Sequence, residues 1–377
     1  MEPSYVSSRI IFETVVGSRA YGTNLDETAD YDRAGVMIPD KSYFYGLEKF
    51  EQFQGFPEKD RTIYDIRKAT KLIAENNPNM LDLLFSPERC LITTSKYWQT
   101  MKDNAHLFIS KRARMTFSGY AVAQLQRIKT HRRFLLNPLT VKPTRETYGL
   151  KATSIFPTAQ LKAIVYSTLG DFLIHEEKEN FLSELDDIYA DYIIPLFGRY
   201  IKEDRKTLAL EYLQLGIKSN ANTLKSLGAS YIKDEFLEEA EKELRYYYAS
   251  KEWEQFEQWK KHRNKSRAEL EIKFGYDTKH AMHLCRLYRM GKEILETGKV
   301  NVDRTLIDAE ELRDIRRGAW TYDHLEEYSH SMDKELETLY KTSTLQKSPQ
   351  ISKINELLVE ICGEYLNVTS RTLKDQS

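Results

Sequence analysis

The residues most able to do chemistry lie in one stretch, Ile10 to Pro39, IIFETVVGSRAYGTNLDETADYDRAGVMIP. Asp30 and Asp32 stand two apart, just ahead of an apolar run from Ala34 to Ile38. In a strand the side-chain period is two, so both carboxylates are expected on one face. Side by side they repel, and one pKa rises unless a cation sits between them. A hard divalent ion with oxygen ligands relieves that cost: Mg2+ is the natural choice and Mn2+ the alternative. Upstream, Gly17-Ser18 follows an apolar strand at once. Backbone N–H groups opening a helix there, with the Ser18 hydroxyl, are suited to a nucleotide phosphate. Far downstream, Lys279, His283 and Arg286 fall at i, i+4 and i+7 of an expected helix, Thr278 to Glu296. They project from one face, a cationic or proton-donating stripe that suits a triphosphate. His280 lies off that stripe and reads as a packed or surface histidine.

These residues need elements to hold them. Ile10 to Val16 reads as a strand buried on both faces. Residues 41–65 read as a connection and a hairpin, with Leu47 to Gln54 and Arg61 to Asp65 as strands around GFPEKD. Ile66 to Asn76 carries a helical stripe of Ile66, Ala69, Leu72 and Ile73. Asn77-Pro78 stops it, and Asn79 is a cap for the helix Met80 to Phe85. The chain then turns helical. Lys96 to Lys129 is broken near Asp103-Asn104, and 111–133 is its most basic segment, a solvated face or a contact for triphosphate or nucleic-acid backbone. Residues 135–157 read as a loop or insertion. Helical patterns follow at 158–174 and 181–215, then an irregular 217–228. From Tyr231 to Ile272 comes a charged helical region interrupted by Tyr246, Tyr247, Tyr248 and Trp253. Asp277 is the expected N-cap of the helix carrying Lys279, and Gly298 its terminator. Thr321 caps a further helix; helices at 324–340 and 350–366 end the chain, with 369–377 frayed.

The bulk composition sets limits. Lys and Arg number 56 against 57 Asp and Glu, so a nucleic-acid partner is neither demanded nor excluded. No apolar run reaches the ~20 residues that span a bilayer, and the N-terminus lacks a signal-peptide core. Cys90, Cys285 and Cys362 are far apart and odd in number, which points to a reducing cytoplasm and no disulfide scaffold. The oligomeric state is not legible.

The Gly-Ser turn and paired aspartates resemble the DNA polymerase beta-like nucleotidyltransferases, and GSRAYGTNLDETADYDRAGV is similar to the RlaP/YcgL-type predicted nucleotidyltransferases. TIYDIRKATKLIAENNPNMLDLLFS (62–86), GYDTKHAMHLCRLYRMGKEILETGKV (275–300) and IRRGAWTYDHLEE (315–327) carry the same resemblance. The middle, about 130–265, is largely unmatched. The resemblance implies an α+β fold: a small mixed-sheet core at 1–90, a basic helical part at 91–130, a helical insertion for acceptor recognition at 131–272, and a helical domain at 273–377 closing the nucleotide site. It implies transfer of an NMP from an NTP, ATP first, to a hydroxyl acceptor such as an RNA or tRNA end, with Asp30 and Asp32 holding metal and Gly17, Ser18, Arg19, Lys279, His283 and Arg286 around the nucleotide. The third carboxylate should come from the strand beside the aspartate pair. Asp65 is the first choice and Asp60 the alternative, while Asp65 also reads as an N-cap. Asn76, Asn77 and Asp82 are expected near the edge of the site, or as caps. The rival reading is a degenerate nucleotidyltransferase fold that binds nucleotide or nucleic acid in a regulatory role.

Overall fold

A computed structural model describes residues 3–26, 30–55, 60–152, 234–263 and 265–374. The expected helices at 158–174 and 181–215 and the irregular 217–228 lie outside them. Contacts divide the chain into two compact units, residues 1–137 with 264–377, and residues 138–263. The first unit therefore gathers the segments expected as separate domains at 1–90, 91–130 and 273–377.

The first unit begins with α1 (Pro3–Ser8) and β1 (Ile10–Val15), followed by α2 (Ser18–Tyr21) and β2 (Arg33–Met37). Then come α3 (Lys41–Tyr45), β3 (Gln52–Gln54), β4 (Arg61–Asp65), α4 (Ile66–Ala74), α5 (Pro78–Leu84) and β5 (Leu91–Thr94). Among the described residues the five strands form one mixed sheet in the order β3-β4-β2-β1-β5. β2 and β4 run parallel with Arg33 opposite Arg61, and the other pairings are antiparallel. β1 is buried almost throughout, as its apolar run requires. The aspartate pair precedes β2 and lies outside it, because pairing with β4 starts only at Arg33.

Helices cover the sheet. α6 (Lys96–Asp103) brings Trp98 onto Phe12 of β1, stacked with centroids 4.4 Å apart. α7 (Arg112–Leu136) is continuous, and α6 ends at Asp103, where the sequence breaks. Asn77 caps α5, accepting from the amides of Asn79 and Met80 with Pro78 in the first turn, so the cap falls two residues before the expected Asn79. The chain returns to this unit through α9 (Lys265–Phe274), α10 (Thr278–Thr297), α11 (Ala309–Arg316), α12 (Tyr322–Thr342) and α13 (Ile351–Lys374). α13 runs on through residues expected to fray. Asp277 and Thr321 cap α10 and α12, and Gly298 closes α10 in the left-handed conformation, all as read from sequence. α10 and α7 pack so closely that a Cβ at Gly291 would lie 2.9 Å from the Phe117 Cβ. One hydrophobic core joins β1, β2, α4, α5, α7, α10, α12 and α13.

In the second unit, α8 (Asp234–His262) carries the charged aromatic stretch. Tyr246 packs edge-on to Tyr148 with Arg145 over its ring, and Trp253, Phe256 and Trp259 form a ladder along the helix.

Candidate active site

Strand pairing gathers the acids. Asp32 and Asp60 immediately precede β2 and β4, which run parallel and start level. The Arg33 amide donates to the Asp60 carbonyl at 2.8 Å, locking the two starts together. β1 ends beside them: the Val16 amide donates to the Asp32 carbonyl at 2.9 Å. Gly17 then turns the chain with φ 71° and ψ −149°, a conformation that only glycine adopts without strain. A Cβ there would lie 2.8 Å from Asp32 Oδ2, so a larger residue would also push the Asp32 carboxylate aside. Ser18 opens α2 directly after it.

The acidic groups sense one another. Burial pushes the Asp32 carboxyl above the usual carboxylate range, Asp30 and then Asp60 push it further, and Lys279 opposes them. Asp30 and Asp60 are exposed. Asp30 and Asp60 act on Asp32 electrostatically, and three hard-oxygen donors suit a divalent cation such as Mg2+ by type. Their oxygens do not all lie within 4.8 Å of one another, so holding one ion would draw the side chains inward.

Asp65, the first choice for the third carboxylate, is at the other end of β4. It is buried, its Oδ1 caps α4 by accepting the Arg67 amide at 2.6 Å, and its Oδ2 accepts from Arg67 Nη2 at 2.6 Å. Asp65 is therefore a helix cap fixed by its own arginine. The carboxylate next to Asp32 is Asp60, because five residues of strand separate the two ends.

A cleft of about 1000 Å³ opens over these acids. Gly17, Asp32 and Asp60 line one side; Met115, Tyr120 and Arg127 of α7 line another; His280, His283 and Arg286 of α10 line a third. His280, expected to be only packed or on the surface, therefore also faces this space. The His283 imidazole titrates well below its usual value, first because it is buried and then because Arg286, His280, Lys279 and Arg316 lie near. At neutral pH it is an uncharged hydrogen-bonding group, and the cations of that stripe are Lys279 and Arg286. Arg286 is buried on the floor, with its guanidinium 3.7 Å above the Tyr21 ring centre and 3.6 Å from Asp82. Tyr21 donates to Asp82, whose own pKa is raised by burial. Asp82 thus anchors the floor. Asn76 is buried and bonds the Phe108 carbonyl, and Asn77 donates to the Tyr120 hydroxyl at 2.6 Å besides capping α5. Arg19 stacks over Tyr31 at 5.4 Å.

The support of α2 is not local. Arg89 donates to the Arg19 and Ala20 carbonyls at 2.9 and 2.8 Å. The Arg304 amide donates to Tyr21 O at 3.1 Å, Arg313 to Gly22 O at 2.5 Å and Arg316 to Thr23 O at 3.3 Å. Five successive carbonyls after the Gly-Ser turn are satisfied this way. Beneath the sheet, Glu13 is buried and accepts two bonds from Arg61, at 2.6 and 2.8 Å, with Arg33 3.8 Å away. It gathers the residues that follow Asp60 and Asp32.

Residues 3–148 match the model of the RlaP family, described as an RNA repair pathway DNA polymerase beta family. The match supports a polymerase beta-like nucleotidyltransferase family for this part of the chain, as the sequence resemblance implied. No curated protein and no solved structure matches the chain. Among the described residues no helix is long and apolar enough to cross a membrane.

Proposed function

We propose that the cleft is a nucleotidyltransferase site that moves an NMP from an NTP to a hydroxyl at an RNA end, releasing pyrophosphate. The observation that carries this reading is the meeting of Asp32, Asp60 and Gly17 where β1 ends and the parallel pair begins. Asp30, Asp32 and Asp60 would hold a divalent ion in this reading, and Mg2+ bound there would supply charge neutralisation for the triphosphate and make the attacking hydroxyl more acidic. The amides at Gly17 and Ser18 and the Arg19 side chain hold the β- and γ-phosphates. Lys279 faces the acids and offsets charge on the leaving pyrophosphate. His283, uncharged, hydrogen-bonds substrate oxygens. Arg286 acts through Tyr21 by fixing the floor below α2. ATP is the first donor to try. RNA is the favoured acceptor, supported by the description of the matching family. A cytoplasmic setting is supported by three buried free thiols, Cys90, Cys285 and Cys362. The regulatory alternative rests on the open choice of third carboxylate, and the position of Asp60 beside the start of β2 favours the enzyme reading over it.

The test is incubation with α-labelled NTPs, Mg2+ and RNA. Label transfer should fall by at least about 10²-fold in Asp32→Asn and Asp60→Asn, since each removes transition-state charge stabilisation. NTP binding with no transfer to any acceptor would support the regulatory alternative. Lys279→Ala should weaken NTP binding without lowering Tm; unchanged affinity takes Lys279 out of the site.

A further inference from the structure

His131 of α7 meets the N-terminus of α10, where Asp277 and His280 stand, and one ligand atom from each lies within 4.8 Å of the others. Asp277 is buried and is oriented by its capping role, since its Oδ1 accepts the His280 amide at 3.0 Å. Its other oxygen lies 3.7 Å from His280 Nε2. Glu271 of α9 is also buried, with its Oε1 3.9 Å from His131 Nδ1. The two imidazole rings are 6.0 Å apart, centre to centre.

These nitrogen-to-oxygen separations are longer than a hydrogen bond. They approach the spacing of neighbouring ligands on one ion: donors about 2.0–2.2 Å from a tetrahedral zinc lie roughly 3.4 Å apart. Small side-chain rotations close the difference. Two buried carboxylates beside two imidazoles bring negative charge out of water. A doubly charged ion with neutral imidazoles cancels it, and mixed nitrogen and oxygen donors favour a transition metal over Mg2+.

We propose that His131, Asp277 and His280, with Glu271 beside them, bind one divalent transition-metal ion, Zn2+ by donor type, apart from the acids at Asp32. The ion ties α7 to the junction of α9 and α10. His280 also lines the cleft, so the ion fixes the helix that presents Lys279 and His283.

The test uses the full chain with Co2+ alone as a spectroscopic probe, alongside Zn2+ stoichiometry by elemental analysis after dialysis. Asp32→Asn carries the assay, so that the catalytic acids do not contribute. One Co2+ per chain with the strong visible absorption of a low-coordinate site is expected. His131→Asn and His280→Gln should each weaken binding at least tenfold. If His131→Asn fails to fold, His280→Gln decides alone, since its ring is at the first turn of α10. Absorption that is missing in the Asp32→Asn chain, or that persists at full affinity in His280→Gln, overturns the site and leaves these residues as an ion-pair network. Mg2+-dependent label transfer by the dialysed wild-type chain is measured separately, so loss of this site and loss of the proposed reaction are distinguishable.

Discussion

Asp60 immediately precedes β4 and Asp65 ends it, so the two aspartates that sequence spacing offers as the third carboxylate sit at opposite ends of one strand. Asp65→Ala should lower stability by about 2 kcal/mol, the upper end for a lost cap, and leave label transfer nearly intact. Asp60→Asn should do the reverse, and chemical denaturation beside the transfer assay reads both. Residue types alone made the aspartates near Gly17 legible. They left Asp60 against Asp65 open, because one end of a strand differs from the other only through pairing with β2. Asp32 adds a pH signature. Its carboxyl is raised in the fold, so the folded chain binds this proton more tightly than the unfolded chain. The stabilisation is present at low pH and is lost as pH rises from the ordinary carboxylate range, about 3.9, through the raised value. At pH 7 without divalent ions, Asp32→Asn should therefore melt higher than wild type. Added Mg2+ should narrow the gap by stabilising wild type only. A lower Tm for Asp32→Asn under metal-free conditions would contradict the crowding of these acids.

At the scale of elements, the register of β2 against β4 decides whether the acids meet, and Glu13 holds that register from the buried side. Glu13→Ala leaves Arg61 buried beside an empty partner site, at a cost of about 3–5 kcal/mol. Urea denaturation should show this loss, and label transfer should fall with it even where the chain remains folded. Nothing in the sequence singled out Glu13, since one acid in an apolar strand has no visible partner 48 residues away. Helix caps were more readable. Asp277, Thr321 and Gly298 act within a few residues of their own position, whereas both Asn77 and Asn79 read as caps at α5 and the first-turn Pro78 leaves that role to Asn77.

At the scale of the whole molecule, the first unit is discontinuous in sequence and continuous in its core. Residues 1–137 and 264–377 share one hydrophobic cluster through α7 and α10. Proteolytic nicking within 138–263 should therefore yield two fragments on a denaturing gel that elute together under native conditions. Separate elution would show that this core does not hold without chain continuity. The same non-locality governs the Gly-Ser turn. Thr23 waits for a guanidinium that lies 293 residues later in the chain. During synthesis the turn emerges early, and its last braces arrive only as Arg313 and Arg316 leave the ribosome. A chain stopped before Arg313 therefore carries Asp30, Asp32 and Asp60 while the turn beside them still lacks two of its braces.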